Sequence, residues 1–255
     1  MKQLFVLCIL LLGFQVNASG YNSDVSIKST QLVIAASGFV PPYVIQQSDS
    51  GYQLELIKAS LRTQGIENIE FVYMSNKRAE QALKSGMVDV AVNLPNTFGG
   101  KVFASDTLLS YQNVAISLKE NGYRIETAQD LKGFGVVAFQ NASAFLGNEY
   151  RLATKQLRSY EEIVNQFAQV ELLMKGWADV IVMERRIFEY YLAKYAKKHP
   201  TKDVVFHPLF NPAPRPIYFL SESMRDVFNL GLNEIKITGE YQAILATNGR
   251  IYAKR

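Results

Sequence analysis

Short runs of β-branched residues alternate along this chain with segments in which apolar residues recur every three or four positions. Residues 31–36 form a first strand-like run. Leu54, Ile57 and Leu61 then fall on one helical face, and Gly65 stops that helix. Residues 69–73 are a second strand. Ser75 or Asn76 can cap the next helix, striped by Ala79, Ala82 and Leu83, and residues 87–94 are a third strand. The order β-α-β-α-β predicts parallel pairing through right-handed crossovers.

The second half repeats the scheme. Residues 135–139 read as a strand, 140–143 as a polar loop, 144–153 as a helix and 155–157 as a short strand. Ile163, Phe167, Val170 and Leu173 mark a further helix, residues 180–183 a strand, and 187–198 a long exposed helix ending near Pro200. The two halves share a motif: LKSGMVDVAV at 83–92 and LMKGWADVIV at 173–182 are identical at five of ten positions. In each, an amphipathic run ends at glycine, a turn carries aspartate (Asp89, Asp179), and a buried strand follows. Asp89 and Asp179 are expected to make Asx-type turns.

Two segments belong to neither series. Residues 111–118 alternate as an extra strand. Residues 206–217 hold Pro208, Pro212, Pro214 and Pro216, which makes them stiff and extended, suited to a hinge strand. A strand at 218–220 and helices at 224–237 and 239–247 then pack back on the first lobe. The predicted fold is α/β with two lobes, each a mostly parallel sheet flanked by helices, joined by two hinge strands. Lobe 1 comprises residues 30–112 with 213–255, and lobe 2 residues 113–212.

The first eighteen residues read as a secretory leader. Lys2 precedes an apolar core at 4–12 that is too short to span a bilayer, and Val16, Asn17 and Ala18 place cleavage near Ala18. The sole cysteine, Cys8, lies within this leader, so the exported chain has no disulfide, and roughly 235 residues bury an adequate core without one. Without Lys2, 26 basic residues face 23 acidic ones, a mild net charge of +3. The bases are scattered apart from the run at 194–202, which argues against a nucleic-acid partner. The chain is expected to act as a periplasmic monomer.

Ligands of a parallel open sheet bind beyond the carboxyl ends of its strands. Phe39 and Tyr43 flank Pro41 and Pro42, where two stiffly held aromatics either stack on a ligand or pack beneath the loop. Asn93, Asn96 and Thr97 follow the third strand; they either orient a polar ligand or bond to their own backbone. Tyr111 opens the connecting strand and joins the set. Ser143, before a helix, either caps it or presents N–H groups to an anion. Glu184 ends a strand and either holds an ammonium or pairs with Arg185 or Arg186 at the surface. Gly133 and Gly135 precede their strand, whereas a dinucleotide loop needs glycines after one. His199 and His207 read as surface histidines, because zinc needs three or four ligands. No metal or cofactor is expected.

These residues together resemble the periplasmic solute-binding proteins of ABC importers, family 3, the polar amino-acid type. The resemblance spans residues 32–247. It rests on Val40-Pro41-Pro42-Tyr43, on residues 51–56 (GYQLEL), on 83–92, on Asp130-Leu131-Lys132-Gly133, and on 178–184 (ADVIVME). It implies a type II periplasmic-binding fold that closes on a small solute and is read by a membrane permease. It implies further that Glu184 binds the ligand's amino group. Family members usually carry an arginine after the third strand that clamps the α-carboxylate through a bidentate pair. Here residues 96–101 read NTFGGK. Lys101 substitutes only as a point charge, and Arg78 is the other candidate. If neither reaches the cleft, a solute other than an ordinary α-amino acid is expected. The expected function is capture of a small amine-bearing solute for an ABC importer. The alternatives are ligand sensing for a membrane receptor, and a dehydratase-like enzyme with Glu184 as general acid.

Overall fold

The computed structural model describes residues 31–37, 39–94 and 101–247. In chain order the strands are β1 (Leu32–Ser37), β2 (Phe39–Val40), β3 (Val44–Ile45), β4 (Ile69–Met74), β5 (Val90–Ala91), β6 (Phe103–Ala104), β7 (Leu109–Tyr111), β8 (Asn113–Leu118), β9 (Gly135–Phe139), β10 (Ser159–Ile163), β11 (Val180–Glu184), β12 (Val204–His207), β13 (Ala213–Arg215) and β14 (Tyr218–Phe219). The α-helices are α1 (Tyr52–Arg62), α2 (Asn76–Lys84), α3 (Ala142–Phe145), α4 (Asn148–Ala153), α5 (Gln166–Met174), α6 (Arg185–Tyr195), α7 (Glu222–Ile237) and α8 (Glu240–Ala246). The expected leader lies outside the described residues. Among them, no helix is long and apolar enough to cross a membrane.

The strands form two five-stranded sheets of matching design. One runs β4-β1-β5-β14-β6 and the other β10-β9-β11-β8-β12. Each has a parallel trio, with β1 between β4 and β5 and β9 between β10 and β11. Each then adds an antiparallel strand, β14 on β5 and β8 on β11. These added strands cross between lobes: β8 follows the first α/β series and β14 follows the second. Their approaches meet in a separate ribbon, where β7 and β13 pair antiparallel with Tyr111 opposite Ala213 and Arg215 opposite Leu109. The hinge is therefore two strands side by side. The largest apolar cluster includes Ile34, Leu54 and Phe219 of one lobe and Ile116, Met183 and Phe188 of the other.

The repeated motif does the same work in both lobes. Gly86 and Gly176 end α2 and α5 with φ of 73° and 72°, a conformation that disfavours side chains. Asp89 and Asp179 make no local Asx turn, contrary to the sequence expectation. Asp89 Oδ2 accepts from the Val33 N–H at 2.8 Å, and Asp179 Oδ2 from the Gly135 N–H at 2.7 Å. Each carboxylate satisfies the neighbouring strand's entry, where a ladder would leave a donor orphaned.

Five other expectations are corrected. The third strand is two residues long rather than eight, because Asn93 turns the chain away with φ of 62°. The helix expected at 144–153 is broken into α3 and α4 at Gly147, which has φ of 92°. The strand expected at 155–157 is a 3-10 turn, and Ile163 belongs to β10 instead of starting a helix. As an edge strand, β10 carries Glu161 and Glu162, which hide its alternation. His207 is buried in β12, its Nε2 2.9 Å from the Ser117 hydroxyl, and burial lowers its pKa.

Candidate functional site

The site begins with a helix N-terminus that holds a loop. Helix α1 has no capping side chain, since Gly51 precedes it. Its first free N–H groups, of Tyr52 and Gln53, donate to the carbonyls of Pro42 and Tyr43, both at 3.0 Å. Only glycine fits at 51: φ is 115°, and a Cβ there would lie 2.5 Å from the Tyr43 carbonyl oxygen. The Pro41–Pro42 turn between β2 and β3, with a cis peptide bond, is thereby clamped, and Tyr43 is driven inward to full burial.

Tyr43 lies within a chain of aromatic and cationic groups. Its ring centroid is 4.4 Å from that of Tyr111 in the hinge and 5.9 Å from that of Tyr52 in α1. At one end the Arg215 guanidinium, from β13, sits 4.5 Å from the Tyr111 centroid. At the other the Arg186 guanidinium, from α6 of the second lobe, sits 5.7 Å from the Tyr52 centroid. Such stacking lets a guanidinium shed water on one face while its edge remains available to acceptors. Below the rings, Gln53 and Asn93 exchange amide hydrogen bonds at 2.9 and 3.2 Å, and the Tyr111 hydroxyl donates to Asn93 Oδ1 at 3.2 Å.

Glu184 stands across the hinge from Tyr43. It is 4 % exposed, so its side chain belongs to the interior and not to the surface. One oxygen accepts from the Gln112 N–H at 3.1 Å, and the other accepts from the Ile187 N–H at 3.0 Å as the N-cap of α6. The carboxylate thus ties the hinge residue Gln112 to the start of a second-lobe helix. Burial pushes its pKa up, and the Ile187 N–H, Tyr43, the Gln112 N–H and Arg186 pull against that shift. Burial pushes the Tyr43 phenol well up too, and the Glu184 charge adds to it. The Tyr43 hydroxyl is buried facing both Glu184, whose charge raises its pKa, and Arg186, which works to lower it.

The remaining candidates fall elsewhere. Ser143 is half-buried, but its N–H already donates to Glu162 Oε1 at 2.9 Å. Glu162 also accepts from the Asn141 N–H at 2.7 Å and the Tyr160 hydroxyl at 2.7 Å. Burial works to raise the Glu162 pKa, but the Ser143 and Asn141 donors with Tyr160 outweigh it and the pKa falls. The chain's own carboxylate therefore fills the place expected for a ligand's anion. Arg78 is exposed in the first turn of α2 and Lys101 is exposed after β5. Asn96, Thr97 and the Phe39 side chain lie outside the described residues.

The structure thus joins Tyr43, Asn93, Tyr111 and Glu184, and adds Gln53, Arg186 and Arg215. Gln53 was hidden inside an apparently amphipathic helix, yet it is fully buried. Arg215 was hidden in a proline-rich segment, where only the pairing of β13 with β7 brings it to Tyr111.

No protein-family model matches the chain, and no curated protein matches it. Solved structures do. The second substrate-binding domain of GlnP from Lactococcus lactis, in an open conformation, matches with a TM-score of 0.65 at 16% identity, over 87% of this chain and 96% of that one. The GluR0 ligand-binding core in complex with L-glutamate matches with a TM-score of 0.67 at 16% identity, over 87% and 99%. A histidine kinase sensor domain with similarity to periplasmic binding proteins matches with a TM-score of 0.62 at 20% identity, over 86% and 95%. The chain has the type II periplasmic-binding fold, two α/β lobes linked by a pair of hinge strands.

Proposed function

We propose that this chain is a periplasmic solute receptor that closes its lobes on a small polar solute bearing an amine and delivers it to the permease of an ABC importer. One observation carries this reading: the buried polar cluster draws on both lobes and on both hinge strands. Tyr43 and Gln53 come from the first lobe, Glu184 and Arg186 from the second, and Tyr111 and Arg215 from the hinge. A solute seated there touches every moving part, which is how binding energy drives closure. Glu184 supplies the negative pole. Its two oxygens each accept one backbone N–H, and each keeps a lone pair for an ammonium. Tyr43 supplies an aromatic wall.

The reading is tested by thermal shift and calorimetry on the leaderless chain with amino acids, polyamines and short peptides. A true solute at 100 times its Kd stabilises the fold by about 2.7 kcal/mol. A complete panel without a shift contradicts a receptor for those solutes. The likeness to a sensor-kinase domain favours a second reading, in which the closed form is read by a membrane receptor. Co-purification with a permease or with a sensor separates the two. Catalysis is the less supported alternative, because the matching solved structures are named as binding or sensor domains. Turnover of a prephenate-like acid by the wild type and not by Glu184→Gln would reverse that judgement.

A further inference from the structure

We propose that Arg215, on the second hinge strand, is the anion-binding residue of the cleft and holds the carboxylate of the captured solute; this rests on the solute-receptor reading above.

The other candidate anion-binding groups among the described residues are surface-exposed or already bonded. Arg78 and Lys101 are exposed, and the Ser143 N–H is bound to Glu162. Arg215 is the cation that remains uncommitted at the site. Its Nε is buried with no hydrogen-bond partner, and among the described residues no carboxylate lies within ion-pair distance of its guanidinium. A buried N–H donor left unbonded costs free energy. A fold keeps such a group where something arrives to satisfy it. By contrast, Arg186 has Glu184 nearby to balance its charge.

Geometry adds direction. The Arg215 guanidinium carbon lies over the Tyr111 ring, 4.5 Å from its centroid, and a guanidinium held on a ring face keeps its edge donors for an acceptor. The Tyr111 ring is shared with Tyr43, and its hydroxyl reaches the Gln53–Asn93 amide pair. A carboxylate at the Arg215 edge would thus lie beside the same aromatic wall that leads to Glu184. The site then has a positive pole at the hinge and a negative pole at the second lobe. Because Arg215 pairs through β13 with β7, an anion bound there also braces the hinge ribbon.

The test compares matched probes with the wild type and Arg215→Gln: L-lysine with cadaverine, L-arginine with agmatine, and L-phenylalanine with phenethylamine. Each pair differs only in the carboxylate. In wild type the amino acid of a bound pair is expected to bind at least about tenfold more tightly than the amine. Arg215→Gln is expected to erase that preference while leaving the amine's affinity within about twofold. Arg215→Lys, which keeps the charge without the fork, is expected to fall between and serves if the glutamine variant does not fold. Wild type that prefers the amino acids, with variants that keep the full preference, overturns the role of Arg215 alone. So does wild type that binds amines as tightly as amino acids. Wild type that binds no probe overturns this inference together with the receptor reading.

Discussion

Glu184→Ala is expected to lower stability by about 2–4 kcal/mol, the sum of a lost N-cap and a second orphaned buried donor. The side chain removed is 4 % exposed, and it accepts from Gln112 and Ile187. Alanine leaves both N–H groups facing a void that also borders the Tyr43 hydroxyl. Chemical denaturation measures the loss, and a cost below about 0.5 kcal/mol would remove Glu184 from its place as the tie between hinge and helix. Glu184→Gln removes the charge and one of the two acceptors together, because a single amide oxygen replaces two carboxylate oxygens.

The pH dependence has a definite sign. Burial raises the folded-state pKa of Glu184 above its ordinary 4.5. Between the two values the unfolded chain has released the proton and the folded chain still holds it. Stability relative to Glu184→Gln therefore falls as pH climbs from about 4.5 through the raised value, and is level beyond it. Glu162 behaves oppositely. Its lowered pKa contributes stability above the ordinary carboxylate range, and that contribution is lost as pH falls through the folded value.

Gly231→Ala is expected to cost about 3 kcal/mol, which in a chain of this size lowers Tm by roughly 6–12 °C. Helix α7 crosses α1 at this residue, and a Cβ on Gly231 would lie 1.9 Å from the Ser60 carbonyl oxygen and 2.9 Å from Thr63 Oγ1. The nearest atom is backbone within a helix, so no rotamer change relieves the overlap, and the helices must part. Because α7 follows the return from the second lobe, the separation loosens the element that closes the discontinuous first lobe. A scanning-calorimetry Tm within about 2 °C of wild type would show that the two helices do not meet so closely.

Much of this architecture is written locally. The Gly86 and Gly176 stops, the β-branched strands after them and the stripes of α1 and α2 each follow from spacing within about ten residues. The proline-rich return at 206–217 announced itself as a stiff connection. The missing parts depend on partners distant in the chain. Asp89 and Asp179 look like turn formers until Val33 and Gly135 are placed beside them. Glu162 sits in a charged edge strand, and nothing near it in sequence says that it fills the Ser143 turn. Arg215 is unremarkable among prolines until β13 pairs with β7. Tyr43 was legible because Pro41 and Pro42 mark its loop, whereas the reason it turns inward lies in the N–H groups of α1.

The most direct measurement is the distance between the lobes with and without solute, read by paired spin labels. Met87→Cys and Trp177→Cys suit it: the two positions are equivalent in the repeat, one per lobe, and are 69% and 74% exposed. A chain that starts after Ala18 has no other cysteine, since Cys8 is the only one in the sequence. A closing cleft predicts a long, broad distribution in the free chain that collapses to a shorter, narrow one when a solute from the thermal-shift panel saturates it. Identical distributions in the free and saturated chain would contradict capture by closure.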